Sequence, residues 1–353
     1  MEWKLSDEQS AYQETLRGWL SDTAPVAAVR AWLDDGDEQA FEGHFGRAGW
    51  AGVGIPEALG GQGGGLVELV LTAEELARAA VPSSAWLATV LTVPALAGSP
   101  EALGEAFDGK PVALLASADE VPDAAPVLAM DAAGRLSGSV PRVLAGSCAD
   151  SFVAVVRAGE GRALRLVRAD AVEKSARRLL DRSRSVADVR LESVPSEPLP
   201  AEGEAFLREY AVRAAVLAAA DALGATERML ALAVEYSKQR HQFGVPIGSF
   251  QAVKHAAATI LVGTEAGRSV LYYAAAAVDA GESDCGLYAA AAKAQITAES
   301  ARAADSALTM HGAIGYTWEH DLHLFFKRAK LDEYLFGTPA QWNERIADGL
   351  RLV

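Results

Sequence analysis

Cysteine is nearly absent. The 353 residues hold only Cys148 and Cys285, too few for a disulfide framework, and no Cys-x-x-Cys or Cys/His cluster offers a zinc site. Basic residues are in deficit: 32 Lys and Arg against 47 Asp and Glu give a net charge of −15. That balance disfavours nucleic acid and anionic membrane surfaces, whose phosphate field repels the chain. A convincing membrane span is also missing. Residues 79–100 carry no charge, but they include Pro82, Pro94, Pro100 and several hydroxyls and have no flanking basic pair. A transmembrane helix wants about 20 predominantly apolar residues with a Lys/Arg asymmetry, so a buried, proline-bounded helix is the better reading. The opening MEWKLSDEQ has neither a basic n-region nor an apolar h-region, so no secretory leader is expected. The expectation is a cytoplasmic, reducing location without metal, nucleic acid or membrane.

What is present suits folded cores. Half the residues are hydrophobic and only 22% are charged, too apolar for disorder and long enough for two or three cores. Ser6 followed by Gln9 is a capping-box pattern that opens a helix carrying Tyr12, Leu16 and Leu20. A glycine-rich loop, AGWAGVGIPEALGGQGGG (48–65), follows, and EELARAAVP closes another helix at proline. From about 105 the pattern turns to short β-type runs, PVALLAS, RLSGSV, SFVAVVRAG, ALRLVRA and ADVRLESV, divided by turn residues. SEPLPAEG (196–203) reads as a linker. Long Ala-rich helices follow, which can approach closely as an antiparallel bundle. The expected fold is α+β in segregated layers: an N-terminal helical domain over 1–104, a small β-barrel or sandwich over 105–200, and a C-terminal helical bundle over 201–353.

This order, together with three motifs, resembles the acyl-CoA dehydrogenase family. The glycine-rich loop with EELARA resembles the family's N-terminal signature. YSKQRHQFGVPIGSFQAVKH (236–255) is similar to its Arg-x-x-Phe-Gly-x-x-Ile-x-x-Phe-Gln segment, and HGAIGYTWEHDLHLFFKRAK (311–330) to its His-Gly-Gly-x-Gly-Tyr-Thr region. The resemblance implies a four-helix C-terminal bundle and FAD as cofactor. At these positions the family contacts the adenosine-diphosphate end of an FAD held mainly by the neighbouring subunit. Arg240 suits a pyrophosphate as an always-charged donor; its other reading is a solvated helix-end cation. Phe243 offers a ring to stack near an aromatic system, and Gln251 an amide for adenine or ribitol. His311, Gly312 and Gly315 form a turn whose missing side chains open backbone N–H groups to phosphate, and Thr317 reads as a following N-cap with Glu319 in the first turn.

The family's chemistry is not matched. Its base removes an α-proton while hydride leaves the β-carbon for flavin, and commonly stands before a Gly-Thr pair. Here Phe336 stands before Gly337 and Thr338. The alternative family position, on the first bundle helix, falls near Ala215. Glu209 is six residues too early, a rotation of about 600° on a 3.6-residue helix. Glu333 would reach the site only after rearrangement; both acids read as solvated. The family's Thr-Glu-Pro-x-x-Gly-Ser-Asp loop and Lys-x-Trp-Ile-Thr/Ser strand correspond to LLASADEVPDAAP (114–126) and GSVPRVLAGSCAD (138–150). Val143 stands for the Trp and Ala145 for the hydroxyl residue; Thr309 replaces the family Gln and Ala313 its second Gly. No catalytic residue is assigned.

The resemblance therefore implies the short, base-less subunit of an actinobacterial α2β2 heterotetramer oxidising a CoA thioester, such as a steroid side chain. Its FAD would be shared with a catalytic acyl-CoA dehydrogenase subunit, acyl-CoA would sit mainly in that partner, and electron-transfer flavoprotein would accept the electrons. The alternatives are a flavin-free scaffold or non-redox protein of the same fold, and an active homo-oligomer whose base is displaced to a residue such as Glu333.

Overall fold

The computed structural model describes residues 4–37 and 39–350. Its elements run helix, strand, helix: α1 (Asp7–Thr23), α2 (Val26–Asp35), α3 (Ala40–Arg47), α4 (Leu66–Arg78), α5 (Ser84–Thr92) and α6 (Pro100–Phe107). Strands β1 (Val112–Leu114), β2 (Val127–Met130), β3 (Leu136–Leu144), β4 (Ser151–Ala158), β5 (Gly161–Arg168), β6 (Glu173–Arg177), β7 (Val186–Val194) and β8 (Glu197–Glu202) come next. Helices resume with α7 (Gly203–Gln239), interrupted by the two-residue strands β9 (His241–Gln242) and β10 (Val245–Pro246). They continue as α8 (Gln251–Asp279), α9 (Cys285–His311), α10 (Leu322–Asp332) and α11 (Pro339–Gly349). The α+β class holds. The chain divides into two compact units: Met1–Val29 with Leu66–Val81 and Ala215–Val353, and Arg30–Gly65 with Pro82–Ala214.

The first unit is helical. Its capping box forms as the sequence predicts: Gln9 N–H donates to Ser6 Oγ at 3.1 Å and Ser6 N–H to Gln9 Oε1 at 3.0 Å. Leu16 and Leu20 are buried, and Tyr12 bonds Thr72 of α4 at 2.7 Å. The Asp279 carboxylate at the end of α8 accepts from Leu66 N–H (2.8 Å) and Val67 N–H (3.1 Å), so α4 begins on a cap borrowed from a distant helix. Within α7, Ala214 to Ala222 lie at the centre of the core. Small residues here allow a close crossing. A Cβ on Gly224 would lie 2.1 Å from the Glu74 carbonyl oxygen, so α7 and α4 meet backbone to backbone there.

The second unit carries an eight-stranded mixed sheet in the order β6-β7-β3-β2-β4-β5-β8, with β1 also on β4. Strand β4 is buried over Ser151–Val156 and pairs parallel with β1 and β2 and antiparallel with β5. The five expected β-runs correspond to β1, β3, β4, β5 and β7. The expected linker 196–203 is instead strand β8 at the sheet edge. An edge strand tolerates Pro198 and Pro200 because one side of its backbone needs no ladder partner. The uncharged stretch 79–100 holds α5 and a short 3-10 turn, both largely buried; Pro82 precedes α5 and Pro94 lies inside the turn, Val93–Leu96. No helix among the described residues is long and apolar enough to cross a membrane.

Candidate functional site

The C-terminal motif residues gather where α7 ends. Gln239 is the last residue of α7. Arg240 N–H closes onto Tyr236 O at 2.8 Å, and Arg240 O accepts from Ile247 N–H at 2.8 Å, which fixes the loop ends. Between them β9 and β10 pair with Gln242 opposite Val245. The turn residues Phe243 and Gly244 both have positive φ, 53° and 81°, as a tight primed hairpin turn requires. Left-handed backbone is costly for an aromatic residue. The Phe243 side chain is 92% exposed and meets Phe250 edge-on, with ring centroids 6.2 Å apart. Phe250 precedes α8, so Gln251 is its first residue, exposed beside this apolar knuckle. Arg240 is exposed too.

The His311 turn adjoins the same end of α7. The imidazole is buried, lies nearly parallel to Tyr236 at 4.9 Å and meets His320 at 4.5 Å. Its Nδ1 lies 2.7 Å from Ala307 O. Burial holds its pKa below the ordinary histidine value, favouring the neutral ring. His311 thus packs inward, and the backbone after it reaches the surface. Gly312 has φ 63° and ψ −142°, open to glycine alone, but its N–H is taken by Leu308 and Thr309 carbonyls. Gly315 is buried; a Cβ there would meet Leu308 Cδ1 at 2.9 Å and His311 Cβ at 3.0 Å. The two glycines therefore shape and pack the turn. Thr317 is not an N-cap. Its hydroxyl turns back to Ile314 O at 2.8 Å, ending a 3-10 turn, and α10 starts only at Leu322 behind Asp321. Glu319 accordingly lies outside the first turn of that helix.

The two positions at which the resemblance leads one to expect a base hold no acid. Ala215 is fully buried in α7. Phe336 is buried with φ 58°, and its carbonyl accepts the Trp342 indole N–H at 2.9 Å. Thr338 then caps α11, with Gln341 N–H donating to its Oγ1 at 3.3 Å. Glu209 is exposed and pairs with Arg213 at 3.6 Å, while Glu333 sits half-buried at the end of α10.

Lys293 escaped the sequence reading: a lysine in an Ala-rich helix gives no sign of burial. It is fully buried, donates to Asp332 O at 2.8 Å and holds the end of α10 ahead of Phe336. Burial pushes its pKa down to about 7.

For an FAD, the residues divide. Exposed Arg240, Phe243 and Gln251 supply a guanidinium, a ring and an amide that fit the adenosine-diphosphate portion. In the sheet, Val143 and Ala145 are both fully buried and bring neither an indole nor a hydroxyl to an isoalloxazine.

N-terminal helices, a central mixed sheet and C-terminal helices in chain order, with this hairpin and turn at the end of the long helix, define the acyl-CoA dehydrogenase fold. Comparison with known proteins agrees. The acyl-CoA dehydrogenase N-terminal domain matches residues 6–102 and the C-terminal domain residues 207–350. Acyl-CoA dehydrogenase IpdE2 of Mycobacterium tuberculosis is 36% identical over 345 residues, covering 96% of each chain. Acyl-CoA dehydrogenase FadE34 of the same organism is 36% identical across 97% of this chain, which spans only 48% of FadE34. Among solved structures, a variant of the Tcur3481-Tcur3483 steroid ACAD superimposes with a TM-score of 0.87, at 28% identity over 98% of each chain. The ChsE4-ChsE5 complex from Mycobacterium tuberculosis gives 0.88, at 25% identity over 100% of each chain. The chain belongs to the acyl-CoA dehydrogenase family, and membership implies FAD.

Proposed function

We propose that this chain is the non-catalytic subunit of a heteromeric acyl-CoA dehydrogenase that desaturates a CoA thioester, and that it completes an FAD site held by a catalytic partner. The observation that carries the reading is Phe336, a buried side chain without a titratable group at the family's base position. Ala215 leaves the second position equally empty of acid. When bound, FAD supplies the acceptor for the hydride leaving the substrate's β-carbon. Arg240 neutralises pyrophosphate charge, Phe243 covers an aromatic face, Gln251 bonds a polar edge, and the His311–Gly315 turn holds the surface against which the nucleotide lies. Proton removal falls to the partner, which also carries most of the acyl-CoA. Exposed Phe243, Tyr316 and Trp318 favour a covered surface, since aromatic residues concentrate at interfaces. The pairing of two components in ChsE4-ChsE5 and Tcur3481-Tcur3483, and the steroid substrate class of the latter, make a heterotetramer acting on steroid side chains the favoured form. Electron-transfer flavoprotein is the favoured acceptor and the cytoplasm the favoured location.

Co-expression with a base-containing dehydrogenase subunit tests this. A stoichiometric complex with one FAD per heterodimer is expected. A chain that binds one FAD per copy and turns over alone would establish the homo-oligomeric enzyme instead, and a colourless protein in every combination would establish the flavin-free scaffold.

A further inference from the structure

A surface cavity of about 290 Å³ opens between α1, α4, α7 and α10. Its lining includes Arg17, Ser21, Glu75, Arg78, Arg228 and Phe325. Three guanidiniums line it against one carboxylate, in a chain whose total charge is −15; Glu227, outside the lining, is shared between Arg78 and Arg268.

Each arginine is held differently. Arg17 is clamped by the buried Glu75 carboxylate, through Nε at 2.9 Å and Nη2 at 2.5 Å, so its Nη1 remains available. Arg78 gives Nη1 to Glu227 Oε2 at 3.1 Å and keeps Nε and Nη2. The same Glu227 is bonded by Arg268, which fixes it from the other side. Arg228 makes no hydrogen bond or ion pair among the described residues. It is half-buried; burial and the neighbouring Arg78 charge press its pKa down, while Asp321 acts on it in the opposite sense. An arginine set beside another cation, with all its donors uncommitted, is an electrostatic deficit that an incoming anion offsets.

We propose that this cavity binds a phosphate dianion, free or as the monoester of a small molecule. Three guanidiniums, one of them with every donor uncommitted, match the several oxygens of a phosphate better than a monocarboxylate, because guanidinium forks suit phosphate geometry. The volume admits one phosphate with a short substituent rather than a macromolecular segment.

The test is calorimetric titration at low ionic strength, where such binding is least screened. Inorganic phosphate, glycerol 3-phosphate, acetate and an acidic hexapeptide are titrated into the full-length chain, together with its partner subunit where the two co-purify. Phosphate, the monoester or both should bind at least tenfold more tightly than acetate. Tighter phosphate identifies the free ion as ligand, and tighter monoester a phosphorylated metabolite. Arg228→Gln should weaken binding roughly 10-fold or more, the loss of one charge-assisted contact. Arg228→Lys, which keeps the charge without the fork, should fall between and guards against a folding defect in the first variant. No binding of either phosphate below about 10 mM (−2.7 kcal/mol), undiminished affinity in Arg228→Gln, or preference for the acidic peptide would overturn the assignment.

Discussion

Arg328 and Asp221 form a two-pronged ion pair at the centre of the helical unit. Arg328 Nε donates to Asp221 Oδ2 at 2.8 Å and Nη2 to Oδ1 at 2.6 Å, while Nη1 reaches Val81 O at 2.9 Å. Neither side chain is more than 2% exposed. The pair links α7, α10 and the segment after α4 in one contact. Breaking a buried pair leaves an uncompensated charge, whereas replacing both partners removes the desolvation penalty with the attraction. Arg328→Met should therefore cost about 3–5 kcal/mol of unfolding free energy, and the double variant Arg328→Met/Asp221→Leu distinctly less. Urea denaturation of both variants checks this; equal losses would show that the pair itself stabilises the core.

Activity should be absent from the isolated chain. If Phe336 and Ala215 stand at the two base positions as proposed, expression alone with added FAD should give no dye reduction with short-chain, long-chain or steroid-derived CoA thioesters. Removing a general base typically costs 10²–10⁴-fold in rate. Phe336→Glu should not restore turnover by itself, because Val143 and Ala145 still provide no support for the flavin ring. Turnover of about 1 s⁻¹ or more that is lost in Glu333→Gln would reject this reading and identify Glu333 as a displaced base.

The buried Glu74 makes stability depend on pH in an unusual sense. Burial raises its pKa to about 8, although Arg268 at 3.3 Å opposes the shift. Between the unfolded value of 4.5 and about 8, the native state holds a proton that the unfolded chain releases. Stability from this group is therefore full below pH 4.5 and is lost as pH rises towards 8, with a limiting slope of about 1.4 kcal/mol per pH unit. Glu74→Gln should flatten that decline, measured as thermal midpoints at several pH values. Parallel pH profiles for the two proteins would show that Glu74 stays ionised when folded.

The local rules of the chain were readable wherever burial and turn chemistry point the same way. Ser6 and Gln9 announce their cap, and the five β-runs alternate or concentrate apolar residues as a half-buried sheet demands. Strand β6 was not readable, because all five of its residues, Glu173–Arg177, are exposed and only Ala176 among them is apolar. Strand β8 was hidden by its prolines, which only the edge position excuses. Thr317 misled because a hydroxyl serves equally as an N-cap or as a bond back to a 3-10 carbonyl, and nothing in the neighbouring sequence separates the two. Arg328 with Asp221, and Lys293 with Asp332, were beyond reach: each joins residues from different helices, and a buried charge looks like a solvated one until its partner is known. At the hairpin, Arg240, Phe243 and Gln251 could be picked out from their motif. The left-handed backbone at Phe243 could not, because a non-glycine residue gives no warning of positive φ.

Arg240 is where the proposed flavin role can be separated from a solvated cation at a helix end. It is exposed, its backbone is pinned by Tyr236 and Ile247, and it directly follows Gln239, the last residue of α7. If it meets the pyrophosphate of an FAD held by the partner subunit, Arg240→Ala removes a charge-assisted contact from an enclosed site. Hydrogen bonds to charged groups contribute about 1.5–3 kcal/mol net, so FAD affinity of the complex should fall roughly 10- to 150-fold. Arg240→Lys should recover only part, since an ammonium lacks the planar fork. A solvated arginine predicts a change within about 0.5 kcal/mol. The measurement is FAD titration into the deflavinated complex of each variant with its partner, after sedimentation shows normal assembly. Wild-type affinity in a normally assembled Arg240→Ala complex would remove the guanidinium from the flavin site and leave the exposed Phe243 knuckle as a packing surface alone.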